Sequence, residues 1–176
     1  VTIPMSWRSG NPGVTIAAPQ NGALSVSTTT TLRVSFAKSV LNGQGGIRIA
    51  AGQVMITPKP LSAGSFQLGA DNFTITQQLT LKPNTTYQVT VWDGPLPASA
   101  LFTTGTSFPA GSISGQISIA TSSPVTAVDH AYVVLLTSPP VTTNLDSLPA
   151  FRIVSTVDGK YSFKNLPDST YYVFAG

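Results

Sequence analysis

Residues 151–176 read FRIVSTVDGKYSFKNLPDSTYYVFAG, and this stretch decides the fold class. Asp158-Gly159 lies between two alternating runs and accepts the positive φ values that a tight two-residue turn demands, so the runs predict a β-hairpin. After a turn, Tyr171, Tyr172, Val173 and Phe174 predict one more strand. The sequence ends at Gly176 with that strand's next neighbour missing, which predicts either a longer polypeptide or a strand borrowed from outside.

The same alternation runs backwards through the chain. Leu32-Arg33-Val34-Ser35-Phe36, Phe73-Thr74-Ile75, Leu79-Thr80-Leu81 and Tyr87-Gln88-Val89-Thr90-Val91-Trp92 each set apolar residues on one side and polar ones on the other. Each run predicts one buried and one hydrated face, as in antiparallel sheets packed on each other. Turn chemistry separates the runs at Asn21-Gly22, Asn42-Gly43, Ala51-Gly52, Lys59-Pro60, Lys82-Pro83-Asn84 and Asp93-Gly94-Pro95. Around residues 105–111 the pattern lapses into small residues and a proline, and a new alternating strand begins at Ser112. The predicted organisation is an arm over residues 1–13, a β-sandwich over 14–105, a linker over 106–111 and a second β-sandwich over 112–176. No helix of ten residues is supported, and residues 141–148 hold at most a single turn.

Composition narrows the function classes. The 176 residues contain neither Glu nor Cys, and 9% of them are charged, against roughly 25% in ordinary soluble domains. A surface of this kind is rich in hydroxyls and poor in ions. The formal charge of +3 comes from nine scattered Lys and Arg against six Asp, with no basic stripe for nucleic acid to track. No apolar run reaches the length of a membrane span, and without cysteine there is no disulfide. Val1 stands where an initiator Met would, which predicts a processed, exported chain or an excised fragment.

Residues 16–23 (IAAPQNGA) and 32–40 (LRVSFAKSV) resemble the bacterial Ig-like domain family, whose members open with a Pro-x-x-Gly turn and a strand ending in Phe-Ser-x-x-Val. Residues 79–91 (LTLKPNTTYQVTV) resemble its later strand, proline turn and Thr-Tyr strand, giving a likeness over about residues 14 to 104. Residues 113–117 (ISGQI), 131–135 (AYVVL), 158–167 (DGKYSFKNLP) and 171–173 (YYV) are similar to the carboxypeptidase-regulatory-like, or prealbumin-like, sandwich family. The resemblance implies one more strand, since relatives in that second family usually continue beyond the position of Gly176. The two resemblances imply an all-β chain of two tandem antiparallel Ig-like sandwiches, the second lacking its last strand. They also imply non-catalytic modules of exported proteins and supply no catalytic motif to carry over.

Candidate chemistry is sparse. Asp129-His130 holds the one histidine, but neighbours on a strand point to opposite faces, so the pair predicts strand entry and not a base with its orienting carboxylate. Asp71, Asp93, Asp129, Asp146, Asp158 and Asp168 fall mostly in turns, where the carboxylate bonds its own backbone. They lack the Asp-x-Asp-x-Asp spacing of a calcium loop, so no metal or other cofactor is expected. Trp7, Trp92, Tyr132, Tyr161, Tyr171 and Tyr172 offer an aromatic platform for sugar rings, although Trp92 and Tyr161 fit the buried side of their strands. Asn72-Phe73-Thr74 and Asn84-Thr85-Thr86 are acceptor sequons for N-glycosylation at Asn72 and Asn84.

The first residues alternate with unusual regularity: Val1, Ile3, Met5 and Trp7 share one face. They read as a first strand of their own domain, as the tail of a linker, or as a donor strand laid beside Tyr171, Tyr172, Val173 and Phe174 of a neighbouring copy. In the last case Pro4 is expected to omit one ladder bond. The sequence therefore predicts a non-enzymatic, extracellular structural protein, a repeating element of a surface fibre or stalk. Its partners are copies of itself or flanking domains, with no nucleic acid and no membrane span. The alternative is a polysaccharide-binding or spacer module of a secreted hydrolase or adhesin, with Tyr171 and Tyr172 as sugar contacts.

Overall fold

Thr, Val and Ile fill a pleated surface better than a helical one, and every regular element among the described residues is a strand. The computed structural model describes residues 13–41, 46–49, 53–93, 97–119, 126–127, 131–139 and 151–175. The chain divides into two units, Val1–Phe108 and Pro109–Gly176.

In the first unit, β1 (Val14–Ala18), β2 (Thr29–Phe36), β4 (Ser62–Ala63), β5 (Gln67–Leu68) and β6 (Thr74–Thr80) form a five-stranded antiparallel sheet. A three-stranded sheet of β3 (Val54–Thr57), β7 (Thr86–Val91) and β8 (Ala98–Thr103) packs on it. Leu32, Val34, Ile75 and Leu79 from the first sheet meet Tyr87, Val89, Val91 and Phe102 from the second in one core. The two expected runs at 73–75 and 79–81 join in the single strand β6 and the residue on either side of it. Tyr87, stacked on Phe102 at 5.6 Å between ring centroids, accepts a hydrogen bond at Oη from the Lys82 N–H (2.8 Å). A buried tyrosine bonding back to the chain just upstream of its own strand is a recurrent corner of Ig-like sandwiches.

The expectation of one hydrated face fails at β7. Its polar residues Thr86, Gln88 and Thr90 are buried along with its apolar ones, because β7 is the central strand of its sheet. Trp92 follows Val91 on the same parity as Gln88 and Thr90; it is half-buried and outside the core, contrary to its assignment to the buried side.

After β1 the chain leaves its sheet and crosses to the other. A turn at Gln20–Ala23 uses Gly22 at φ +85°, and the following residues bond along β8. Gly22 N–H donates to Leu101 O (2.7 Å), Thr103 N–H to Ala23 O (2.9 Å) and Val26 N–H to Thr103 O (3.0 Å). Asn21 Oδ1 accepts from the Leu101 N–H (2.9 Å), so the outer rim of β8 is occupied.

The second unit contains β9 (Gly111–Gln116), β10 (Ser118–Ile119), β11 (Thr126–Ala127), β12 (Tyr132–Leu136), β13 (Arg152–Ser155), β14 (Lys160–Leu166) and β15 (Tyr172–Ala175). Gly111, placed by the sequence in a linker, is already the first residue of β9. Sheet β13-β12-β15 faces sheet β14-β9, and Val133, Leu135, Phe163 and Leu166 form the core between them. Val134 and Leu136, with Ile153 and Phe174, form a smaller cluster on the opposite face of β12.

The turn at Asp158-Gly159 forms as expected, with both residues at positive φ (52° and 72°) and Val157 and Lys160 bonded across it. The hairpin does not extend. Beyond that single bridge β13 pairs with β12 and β14 with β9, so the turn carries the chain from one sheet to the other. A local turn signal fixes two residues and leaves long-range pairing open.

Candidate functional site

β15 pairs with β12 on one side only; among the described residues nothing bonds its other side. The register Leu136↔Tyr172, Leu135↔Val173, Val134↔Phe174 and Val133↔Ala175 fixes which way each side chain points, because opposite residues in a pair share a face. Val173 and Ala175 lie on the face of Leu135 and Val133, which packs into the core, and Phe174 joins the opposite cluster. Yet Val173 is 42% exposed while its partner Leu135 is fully buried. An inward side chain left in water marks the point where the sandwich stops being covered.

Tyr171 does not belong to this rim. It precedes the strand, packs against the core, stacks on Phe151 at 5.7 Å and donates its hydroxyl to Pro167 O (2.7 Å). Burial raises its pKa; the positive charge of Arg152 opposes that shift and Asp168 adds to it. Arg152, 2% exposed, lies on the inward face opposite Leu135 with its Cζ 4.8 Å from the Phe151 ring centroid. Burial pulls its pKa down to about 10, and the proximity of Tyr171 works the other way. Of the four expected acceptor residues, Tyr172, Val173 and Phe174 therefore lie in the edge strand, and Tyr171 lies before it, half-buried against the core.

The rims of the first unit are defended. β4 and β5 are two residues each, separated by a bulge where Gly64 bonds Gln78 and Gln77. β1 is bulged and runs into Pro19, β3 runs into Pro58, and β8 is covered by residues 22–26. In the second unit β14 carries exposed Lys160 and Lys164. Short strands, bulges, prolines and lysines are the usual means of stopping unwanted strand addition. β15, Tyr172-Val173-Phe174-Ala175, has no charge, no proline and no glycine.

Other expected sites are placed as follows. Val1, Ile3, Met5 and Trp7 lie outside the described residues. So do Asp129, His130, Asp146, residues 141–148 and the turns Asn42-Gly43, Ala51-Gly52 and Gly94-Pro95. Asn72 and Asn84 are exposed at turns with φ of 59° and 47°. The threonines of their sequons, Thr74 and Thr86, are buried in β6 and β7. Thr74 Oγ1 donates to Asp71 Oδ2 (2.7 Å), and Asp71 Oδ1 accepts from the N–H groups of Phe73 and Thr74 (3.0 and 2.9 Å). The Thr74 hydroxyl, then the backbone bonds, hold the Asp71 carboxyl below its ordinary range. Sequence reasoning missed the partner of Asp93: Arg48 Nη1 and Nη2 donate to its two oxygens at 2.6 and 2.9 Å. Forty-five residues separate them, and nothing local signals the pair.

Among the described residues no group of three His or Asp could hold a metal ion, and no helix is long and apolar enough to cross a membrane. No curated protein and no solved structure matches the chain significantly. A family model does match: residues 9–108 fit the bacterial Ig-like domain, the stretch that contains the corner tyrosine Tyr87 and both sheets of the first unit. The chain belongs to the bacterial Ig-like domain family.

Proposed function

We propose that the chain is a non-catalytic structural module of the cell exterior, the repeating subunit of a surface fibre or stalk. Copies join when the segment bearing Val1, Ile3, Met5 and Trp7 of one adds to β15 of the next. Bacterial Ig-like domains are typically non-catalytic and typically carried by extracellular or surface proteins, which supports the setting. The second unit is then a carboxypeptidase-regulatory-like sandwich that is completed by a strand from outside.

The observation that carries the reading is Val173, turned toward the core yet 42% exposed on an uncharged strand. Covering an apolar side chain of this size contributes roughly 1.5–3 kcal/mol at full burial, and each apolar residue of the added segment contributes on the same scale. A head-to-tail contact uses different surfaces on the two copies, so it propagates unless rotation closes a ring. Few charges would need desolvation along such a contact.

The native species is expected to be polymeric by sedimentation and electron microscopy, and deletion of residues 1–7 is expected to leave folded monomers. Polymers unchanged by that deletion would refute strand exchange. Tyr172, 37% exposed, favours a second reading, polysaccharide binding. Co-sedimentation with insoluble polysaccharide that disappears in Tyr172→Ala, in a chain that stays monomeric, would establish it instead.

A further inference from the structure

Strand addition can run in either direction, and the backbone of β15 distinguishes the two. Thr156 N–H donates to Ala131 O (2.8 Å), and Phe151 N–H donates to Leu135 O (2.8 Å), so the odd-numbered carbonyls along β12 point toward β13. In an antiparallel sheet, residues turn their N–H and C=O groups to alternate sides. Val134 and Leu136 therefore point theirs toward β15, where they pair with Phe174 and Tyr172. The N–H and C=O groups of Val173 and Ala175 are left facing away from β12. These are also the residues whose side chains face the core.

On the basis of the strand-exchange reading, we infer that the segment 1–7 of a second copy adds antiparallel to β15, with Pro4 on its outer rim. The apolar residues Val1, Ile3, Met5 and Trp7 must face the core side, so they stand opposite Val173 and Ala175. In an antiparallel pair, a residue opposite one that offers its N–H and C=O returns both bonds, so the odd residues form the whole ladder. Thr2, Pro4 and Ser6 then turn their backbone groups outward, and the missing N–H of Pro4 removes nothing from the pairing. In a parallel pair the bonds would come from the even residues, and Pro4 would delete one. The expected loss of a ladder bond at Pro4 is thus a property of the parallel arrangement alone. Placed outside, Pro4 interrupts the new rim and stops a further strand from adding.

Proline substitutions in the full-length chain test this by sedimentation and electron microscopy. Ile3→Pro and Val173→Pro are expected to abolish polymers, with Ile3→Ala as the control that removes the side chain but keeps the N–H and so retains some assembly. Ser6→Pro is expected to assemble like the parent, and Pro4→Ala to assemble end to end with added side-by-side association. Val173→Pro should keep its circular dichroism and thermal unfolding, because the Val173 N–H has no role in the β12 pairing. Retained polymers in Ile3→Pro together with their loss in Ser6→Pro would overturn the antiparallel assignment while leaving strand exchange intact. Parent polymers indifferent to deletion of residues 1–7 would instead remove the underlying reading.

Discussion

Tyr87 combines three interactions in one side chain: it is fully buried, stacked on Phe102, and bonded to the Lys82 N–H. Burial raises its pKa, with the Lys82 bond pulling the other way, so the phenol stays protonated and available at the corner. Tyr87→Phe keeps the ring and leaves the Lys82 amide without its acceptor, which should cost about 1–2 kcal/mol. Denaturant unfolding measures that loss, and hydrogen exchange should report it first at Lys82. The Arg48–Asp93 pair closes a second long-range link. Its Arg48 bonds hold the Asp93 carboxyl below the ordinary 3.8, so the folded state binds that proton less readily than the unfolded state. The resulting stability is fully present above 3.8 and is lost as pH falls through the lowered folded value. Asp93→Asn should therefore weaken the protein at neutral pH by about 1 kcal/mol or less, as for other partly exposed pairs. It should also flatten the fall in thermal midpoint on acidification, and an unchanged acid slope would contradict the assignment. Asp71 was legible in sequence as a turn carboxylate because its partners lie within three residues. Asp93 also reads as a turn residue, but its partner lies far along the chain.

At the level of elements, turns are encoded by neighbouring residues and strand pairing is not. The positive-φ turn at Asp158-Gly159 is encoded by those two residues alone, whereas the partners of β13 and β14 depend on which strands the cores of both sheets select. The same limit explains β7, whose Thr and Gln residues looked like a hydrated face but are buried at the centre of their sheet. β14 adds a bulge between Lys164 and Leu166, with Asn165 at φ 59°, that shifts the inward parity so Leu166 and not Asn165 enters the core. Between β9 and β14, Gly115 lies opposite Tyr161, and a Cβ on Gly115 would come within 2.5 Å of the Tyr161 hydroxyl. Gly115→Ala must push that ring aside and should destabilise the protein by about 1–3 kcal/mol. In a Tyr161→Ala background the same change should be nearly neutral. A full penalty there would show that the strain lies in the backbone.

For the whole molecule, charge scarcity and edge chemistry act together. An interface built on Tyr172, Val173 and Phe174 contains no ion pair, so polymer length should change little between low and high sodium chloride. Sedimentation across a salt series checks this, and dissolution at moderate salt would point to an electrostatic contact elsewhere. The alternation of Val1, Ile3, Met5 and Trp7 is visible in sequence. The exposed inward position of Val173 is not, because parity along a strand is meaningful only once the register with β12 is known. The crossing of residues 22–26 from β1 to β8 carries a mechanical consequence for any stalk built from such copies. Tension arriving through the start of the first sandwich is divided between both of its layers, so neither can be peeled away while the other holds.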